Sequence, residues 1–254
     1  MKRDAPVLDA ESCAWMVRRL SDRVSCITLL DEHIIAGDWS GGVSCWTTAG
    51  DSVWEHASPD RVSSIAVADD IVALASGIDI VALSMESGRE LWKHKLEGSA
   101  DEVISLPNTG MVHATSSVFD IEHGDFMESA YWRFDHSGEL LEVHRFDERP
   151  WHISVEADRV LLGLGRPRCG MLILTGDDPE WEDLVDDDPV ACGITDGEKT
   201  VLGHSKGAVS IVENADKSSI AELESGVEAI SFNEFGYYVI TEQGLRILDS
   251  SGNI

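Results

Sequence analysis

Apolar positions along this chain either alternate with polar ones or run for four to six residues between turn residues, and no 3.6-residue period is sustained. The pattern predicts short strands. The stretch VALSMESGRELWKHKL (residues 81–96) shows the unit: a strand, a turn centred on Gly88, then a second strand with Trp92 four residues after the Gly. TTAGDSVW repeats it, with Gly50 four residues before Trp54. Further turns fall at Gly138, Gly176, Asn214 and Gly252, in steps of 38, 50, 38, 38 and 38 residues from Gly50. Asn tolerates the left-handed backbone that such turns need, so Asn214 is a chemically reasonable substitute for Gly. Each unit opens on a short β-branched strand followed by a second apolar one, as in RVSCITLLDEHIIAGD and RVSSIAVADDIVALAS. Four short strands at a period near 40 residues is the pattern of a propeller blade.

The spacing therefore predicts an all-β chain: one six-bladed β-propeller domain over residues 1–254, of four-stranded antiparallel blades that start near residues 23, 61, 102, 150, 188 and 226. The last unit stops just after Gly252, short of an outer strand. Residues 13–20, CAWMVRRL, resemble the outer strands SVWEHA and RELWKHKL, so this N-terminal strand is expected to complete the sixth blade and close the ring. The 50-residue step leaves 12 extra residues in the third unit, read as a lengthened hairpin turning at Glu122, His123, Gly124 and Asp125 and projecting from the ring. Trp15, Trp54, Trp92 and Trp181 recur at equivalent outer-strand positions, which predicts packing between blades rather than a ligand box.

Composition narrows the partners. With 47 acidic against 19 basic residues the formal charge is −28, which repels nucleic acid and anionic membranes. The acids are scattered among apolar runs, so disorder by charge is not expected. An even, Lys-poor acidity resembles proteins adapted to multimolar salt, and a halophilic source is the expectation. The N-terminus has no apolar segment behind Lys2 and Arg3, and no run of membrane-spanning length occurs, so the expected location is cytoplasmic. Five Cys, odd in number and widely spaced, read as free buried thiols.

VALSMESGRELWKHKL resembles the repeat of the quinoprotein-like propellers, the pyrroloquinoline-quinone family, with Ala82, Leu83, Gly88 and Trp92 matching, Ser84 where that family has Asp, and Ser87 where it has Thr. GGVSCWTTAG is similar to the end of a WD repeat, with Trp46 in place and Thr47 where Asp is expected. Either propeller family fits these residues. The quinoprotein enzymes are larger, eight-bladed, exported proteins with adjacent Cys and an acidic Ca²⁺ site. This chain has six units, no vicinal Cys pair and no export signal, so the resemblance implies a non-catalytic scaffold without cofactor.

In a propeller the loops between second and third strands, and those entering each inner strand, share one mouth. Collecting them places Arg23, Arg61, Arg149, Arg166, Arg168 and Lys206 there with Trp39, Trp151, His152 and His204. Arg and Trp on an acidic background point to a protein or acidic-peptide partner. The plain counter-reading is that each Arg simply pairs with a neighbouring carboxylate. GLGRPRCG (residues 163–170) lacks phosphate-loop spacing; Arg166 and Arg168 beside Cys169 could activate a thiol, but a β-turn with a structural Cys is the expectation. The acid run DDPEWEDLVDDDP (residues 177–189) offers oxygen ligands for Ca²⁺ or Mg²⁺ but lacks the D-x-D-x-D-G loop geometry, and Asp120, Glu122, His123 and Asp125, which could also hold a metal, sit at an exposed tip, so both are expected to be solvated, with no metal bound.

These features predict a non-enzymatic, monomeric scaffold that binds through a propeller face. The competing expectation is a lactonase-like or other hydrolase with a metal in the central channel, for which the candidate inner strands offer only Glu102, Glu156 and Glu228. A third is an RNA- or ribosome-associated factor using the Arg mouth, which the charge disfavours.

Overall fold

The computed structural model describes residues 14–156, 159–165, 169–175, 182–184, 188–196, 199–213 and 216–249. Every regular element among them is a β-strand, arranged as a six-bladed β-propeller in which five sheets have four antiparallel strands and the sixth has three. The inner strands are Val24–Leu29, Val62–Ala68, Ser99–Leu106, Pro150–Glu156, Val190–Asp196 and Val227–Asn233. Their starts fall within a few residues of those predicted. The predicted turn glycines Gly50, Gly88 and Gly138 have φ of +97°, +66° and +86°, the left-handed conformation that glycine adopts at no steric cost; Gly176, Asn214 and Gly252 lie outside the described residues.

Blades are held together by side chains that interdigitate between neighbouring sheets. Separate apolar clusters fill the successive seams: Ile35, Val43 and Val72 between the first and second blades, Ala73, Ala114 and Phe134 between the second and third, and Tyr131 with Leu162 between the third and fourth. Leu161 and Leu202 join the fourth to the fifth, and Val209 with Val239 the fifth to the sixth. Two outer-strand Trp residues act as bolts between sheets, as expected. Trp54 donates its indole N–H to the Met85 carbonyl at 2.7 Å and lies flat on Gly88, while Trp92 donates to the His136 carbonyl at 3.0 Å and lies on Gly138. A Cβ at either glycine would sit 2.7 Å from the ring, so the glycine is needed for contact as well as for conformation.

Closure differs from the expectation. Residues 14–20 form no strand, and the third strand of the sixth blade, Gly244–Leu248, has no outer neighbour among the described residues. The segment does reach the right socket: Arg18 donates to the Gly50 carbonyl, and Met16 and Arg18 lie against Gly50, where the pattern set by Trp54 and Trp92 calls for a Trp. Trp15 is instead 74% exposed. Two longer, flexible side chains occupy the socket, and among the described residues the segment contacts the first blade without strand pairing to the sixth. Ile27 and Leu29 on the first blade's inner strand are 65% and 73% exposed, and Ile240, Leu245 and Ile247 on the sixth blade are exposed too. Ile240 pairs Leu245, and Ile247 pairs Tyr238, so the sixth blade's apolar residues lie on one sheet face. Trp181 lies outside the described residues.

Candidate functional site

One backbone device recurs in every blade. Each ladder between inner and second strand carries a bulge near one end, between Val24 and Cys26, Val62 and Ser64, Pro150 and His152, Val190 and Cys192, and Val227 and Ala229, with the equivalent in the third blade opposite Ala114 and Ser116. A bulge re-aims the extra residue. Here it turns Trp151 and Ala191 toward a common mouth and leaves Asp101 and Glu102 at the corresponding place in the third blade. That end of the ring is fixed by a matching backbone bond in four blades, in which Trp39, Gly77, Gly165 and Ser205 donate their N–H to the carbonyls of Arg23, Arg61, Arg149 and Pro189.

The first half of the mouth is cationic. Asp38 is fully buried and organises the turn that presents Trp39: its carboxylate accepts from Ser40 N–H, Ser40 Oγ, Gly42 N–H, Ser21 Oγ and Asp22 N–H at 2.7–3.2 Å. Burial pushes its pKa up, but these donors outweigh burial and hold it down at about 2. Above the turn, the Arg23 guanidinium lies 4.8 Å and that of Arg61 3.9 Å from the Trp39 ring centroid. Among the described residues neither has a carboxylate within ion-pair distance, so the plain expectation of Arg paired to acid does not hold for these two.

Across the mouth, Arg149 is built into a wall. Its guanidinium lies 4.2 Å from the Phe126 ring centroid and 4.3 Å from that of Trp151, and one of its nitrogens donates to Asp101 at 2.6 Å. This Arg follows the plain expectation. Asp101 also accepts from Ser117 Oγ, and burial raises its pKa despite the opposing charge of Arg149. Next to it, the Glu102 carboxyl is pushed up to about 7, chiefly by burial. Phe126 belongs to the long hairpin, Met111–Asp120 and Asp125–Phe134, whose ten-residue strands confirm the lengthening of the third unit. Ile121 in the hairpin turn is exposed, while Phe126, just past that turn, packs against Arg149. Phe126, Arg149, Trp151, Pro189, Val190 and Ala191 surround a cavity of about 460 Å³.

The remaining residues read from sequence are scattered. His204 is 1% exposed, facing the Asp188 carbonyl through Nδ1 at 3.0 Å and Ser210 Oγ through Nε2 at 2.8 Å, and this corrects its expected place on the partner surface. The pair ties the second strand to the third inside the blade. His152 packs over the Gly193 backbone, and burial pushes its pKa down to about 4, so it is a neutral, half-buried ring. Lys206 is exposed beside Ser205, its N–H donating to Asp188 at 2.9 Å. Arg166 and Arg168 lie outside the described residues. Cys169 is buried at φ +56°, and burial raises the thiols of Cys26, Cys45 and Cys192 to about 11, about 11 and about 12, leaving them protonated.

At the hairpin tip His123 bonds Asp120 at 3.0 Å. Among the described residues no three His, Cys, Asp or Glu come together as a metal site. Of the residues missed by sequence reasoning, Phe126 sits directly after the predicted hairpin turn and could have been collected with the mouth loops. Asp101 is 48 residues from Arg149, and no local signal joins them.

No protein-family model matches the chain, and no curated protein does. Solved structures do match. The computationally designed Ika8 protein aligns at TM-score 0.73 and 14% identity over 91% of this chain and 72% of its own. BamB from Moraxella catarrhalis aligns at 0.55 and 13% identity over 88% and 84%, and Saccharomyces cerevisiae Sqt1 at 0.66 and 15% identity over 86% and 68%. At these identities the likeness is one of fold, and a fold shared this widely carries no activity with it.

Proposed function

We propose that this propeller is a non-enzymatic interaction scaffold that binds a protein partner through an acidic segment laid over the Arg-bearing mouth. The observation that carries the reading is Arg23 and Arg61 stacked on one indole with no carboxylate partner among the described residues. In a chain of net charge −28 acids are available nearly everywhere, so two guanidinium groups at one mouth without a carboxylate of their own are open to one that a partner brings. A guanidinium held flat on an aromatic ring is also pre-organised, so little side-chain entropy is lost when it meets a carboxylate. The surrounding acidity suits work at high salt, where long-range repulsion is screened and contact-level pairing remains.

The test is affinity purification of the tagged protein from its own cells at their native salt, followed by direct titration with the partner identified, for wild type and for Arg23→Glu with Arg61→Glu. Loss of about tenfold or more in affinity is expected for the reversal, in line with two charge-assisted contacts. A partner held equally well by the reversed mouth would remove the basis of the reading.

A further inference from the structure

The two halves of the mouth ask for different chemistry. Arg149 is neutralised by Asp101, and the cavity beside it is walled by Phe126, Trp151, Pro189, Val190 and Ala191, so it offers apolar surface and no uncompensated cation. At about 460 Å³ it falls in the range of preformed ligand sites, roughly 300–1,000 Å³. The Arg149 guanidinium, within 4.3 Å of the ring centroids of both Phe126 and Trp151, joins the third blade's hairpin to the fourth blade's bulge. The unpaired cations lie on one side of it. Gly77 N–H donates to the Arg61 carbonyl at 3.1 Å and Ala100 N–H to the Gly77 carbonyl at 2.7 Å, which carries the surface from the Arg61 turn to Asp101 and so to Arg149. Asp125 stands on the cavity rim and disfavours acids there.

We infer that the cavity between the third-blade hairpin and the fourth and fifth blades receives one large apolar side chain at the end of the partner's acidic segment. The acidic residues lie toward Arg23 and Arg61 and away from Asp125. Acid gives the segment its place on the mouth; the apolar residue gives it register. This rests on the acidic-segment reading of the same mouth and specifies what that segment must contain.

The experiment uses the full chain and two synthetic peptides, a short Asp/Glu peptide ending in Phe and the same peptide ending in Ala, titrated by fluorescence of the protein's Trp residues. The Phe peptide is expected to bind about tenfold or more tightly, the effect of burying one aromatic side chain. Ala191→Phe, which fills the cavity, is expected to bring the Phe peptide down to the Ala peptide. Phe126→Ala, which opens one wall from an exposed hairpin, is expected to do the same without touching a blade core. Arg23→Glu with Arg61→Glu weakens both peptides alike. Equal affinity for the two peptides, still lost on the Arg reversal, would overturn the cavity and leave the acidic reading standing. Preference for Phe that ignores the Arg reversal would keep the cavity and sink the acidic reading. Binding of neither peptide would overturn the inference, as would equal competition by a free aromatic compound without the acidic stretch, which would make the occupant a small ligand.

Discussion

Glu102 shows how the mouth is tuned residue by residue. Burial, and then the charge of Asp101, raise its carboxyl to about 7, against the opposing effects of Ser64 and Arg149. Because the folded pKa lies above the ordinary 4.5, the native state holds this proton more tightly, so its favourable contribution is present in acid and is lost as pH rises from 4.5 through 7. Glu102→Gln is therefore expected to stabilise the protein by about 1–3 kcal/mol near pH 8 and to change little near pH 4, measured by chemical unfolding at both pH values. An equal effect at the two would mean that the carboxyl titrates normally. His152 acts with the opposite sign: its pKa is depressed from 6.5 to about 4, so stability is lost as pH falls through that window. Both residues were legible as polar positions in inner strands, but neither perturbation is visible without the neighbours that bury them.

At the scale of elements, Gly88 and Gly124 have nearly the same φ, +66° and +67°, in different surroundings. A Cβ at Gly88 would meet the Trp54 ring at 2.7 Å, whereas at Gly124 it would meet nothing within 4 Å. Gly124→Ala is expected to cost only the left-handed backbone, about 1–2 kcal/mol, and Gly88→Ala about 1–3 kcal/mol more for displacing the ring. Thermal unfolding of the two variants checks the difference, and equal losses would mean that Trp54 moves aside freely. This turn and Trp pairing is what made the blades legible, since Gly50, Gly88 and Gly138 and the Trp residues after the first two recur at a fixed offset. The same logic failed at Trp15, because a socket at Gly50 reads only the presence of a side chain and accepted Met16 and Arg18 instead. Within the candidate site, loop bookkeeping located Arg23, Trp39, Arg61, Arg149 and Trp151. It misplaced His204 because a His and Ser pair joined across one turn leaves no periodic trace. The cavity in the apolar half of the mouth was not foreseen, since Phe126 comes from the third blade's long hairpin and Trp151 and Ala191 from bulges of the fourth and fifth blades.

At the scale of the whole molecule, the described residues leave two surfaces on which a partner could act, the mouth and the exposed apolar faces of the first and sixth blades at the seam. Exposed Ile27, Leu29, Ile240, Leu245 and Ile247 make the seam apolar, and the edge of Gly244–Leu248, which has no outer neighbour among the described residues, could take a strand. Nothing at the seam selects one partner, whereas the mouth combines unpaired cations with a shaped cavity. Charge acts over the same scale: at physiological ionic strength repulsion from distant acids fades beyond about 8 Å, so the groups at the point of contact, Arg23 and Arg61, decide what is admitted. The measurement that separates the surfaces is hydrogen–deuterium exchange of the full chain with and without its captured partner. Protection is expected in the turn after Asp38, at Asp125–Phe126 and at Arg149–Trp151. Protection confined to Gly236–Thr241 and Gly244–Leu248 would contradict the account and place the partner in the seam.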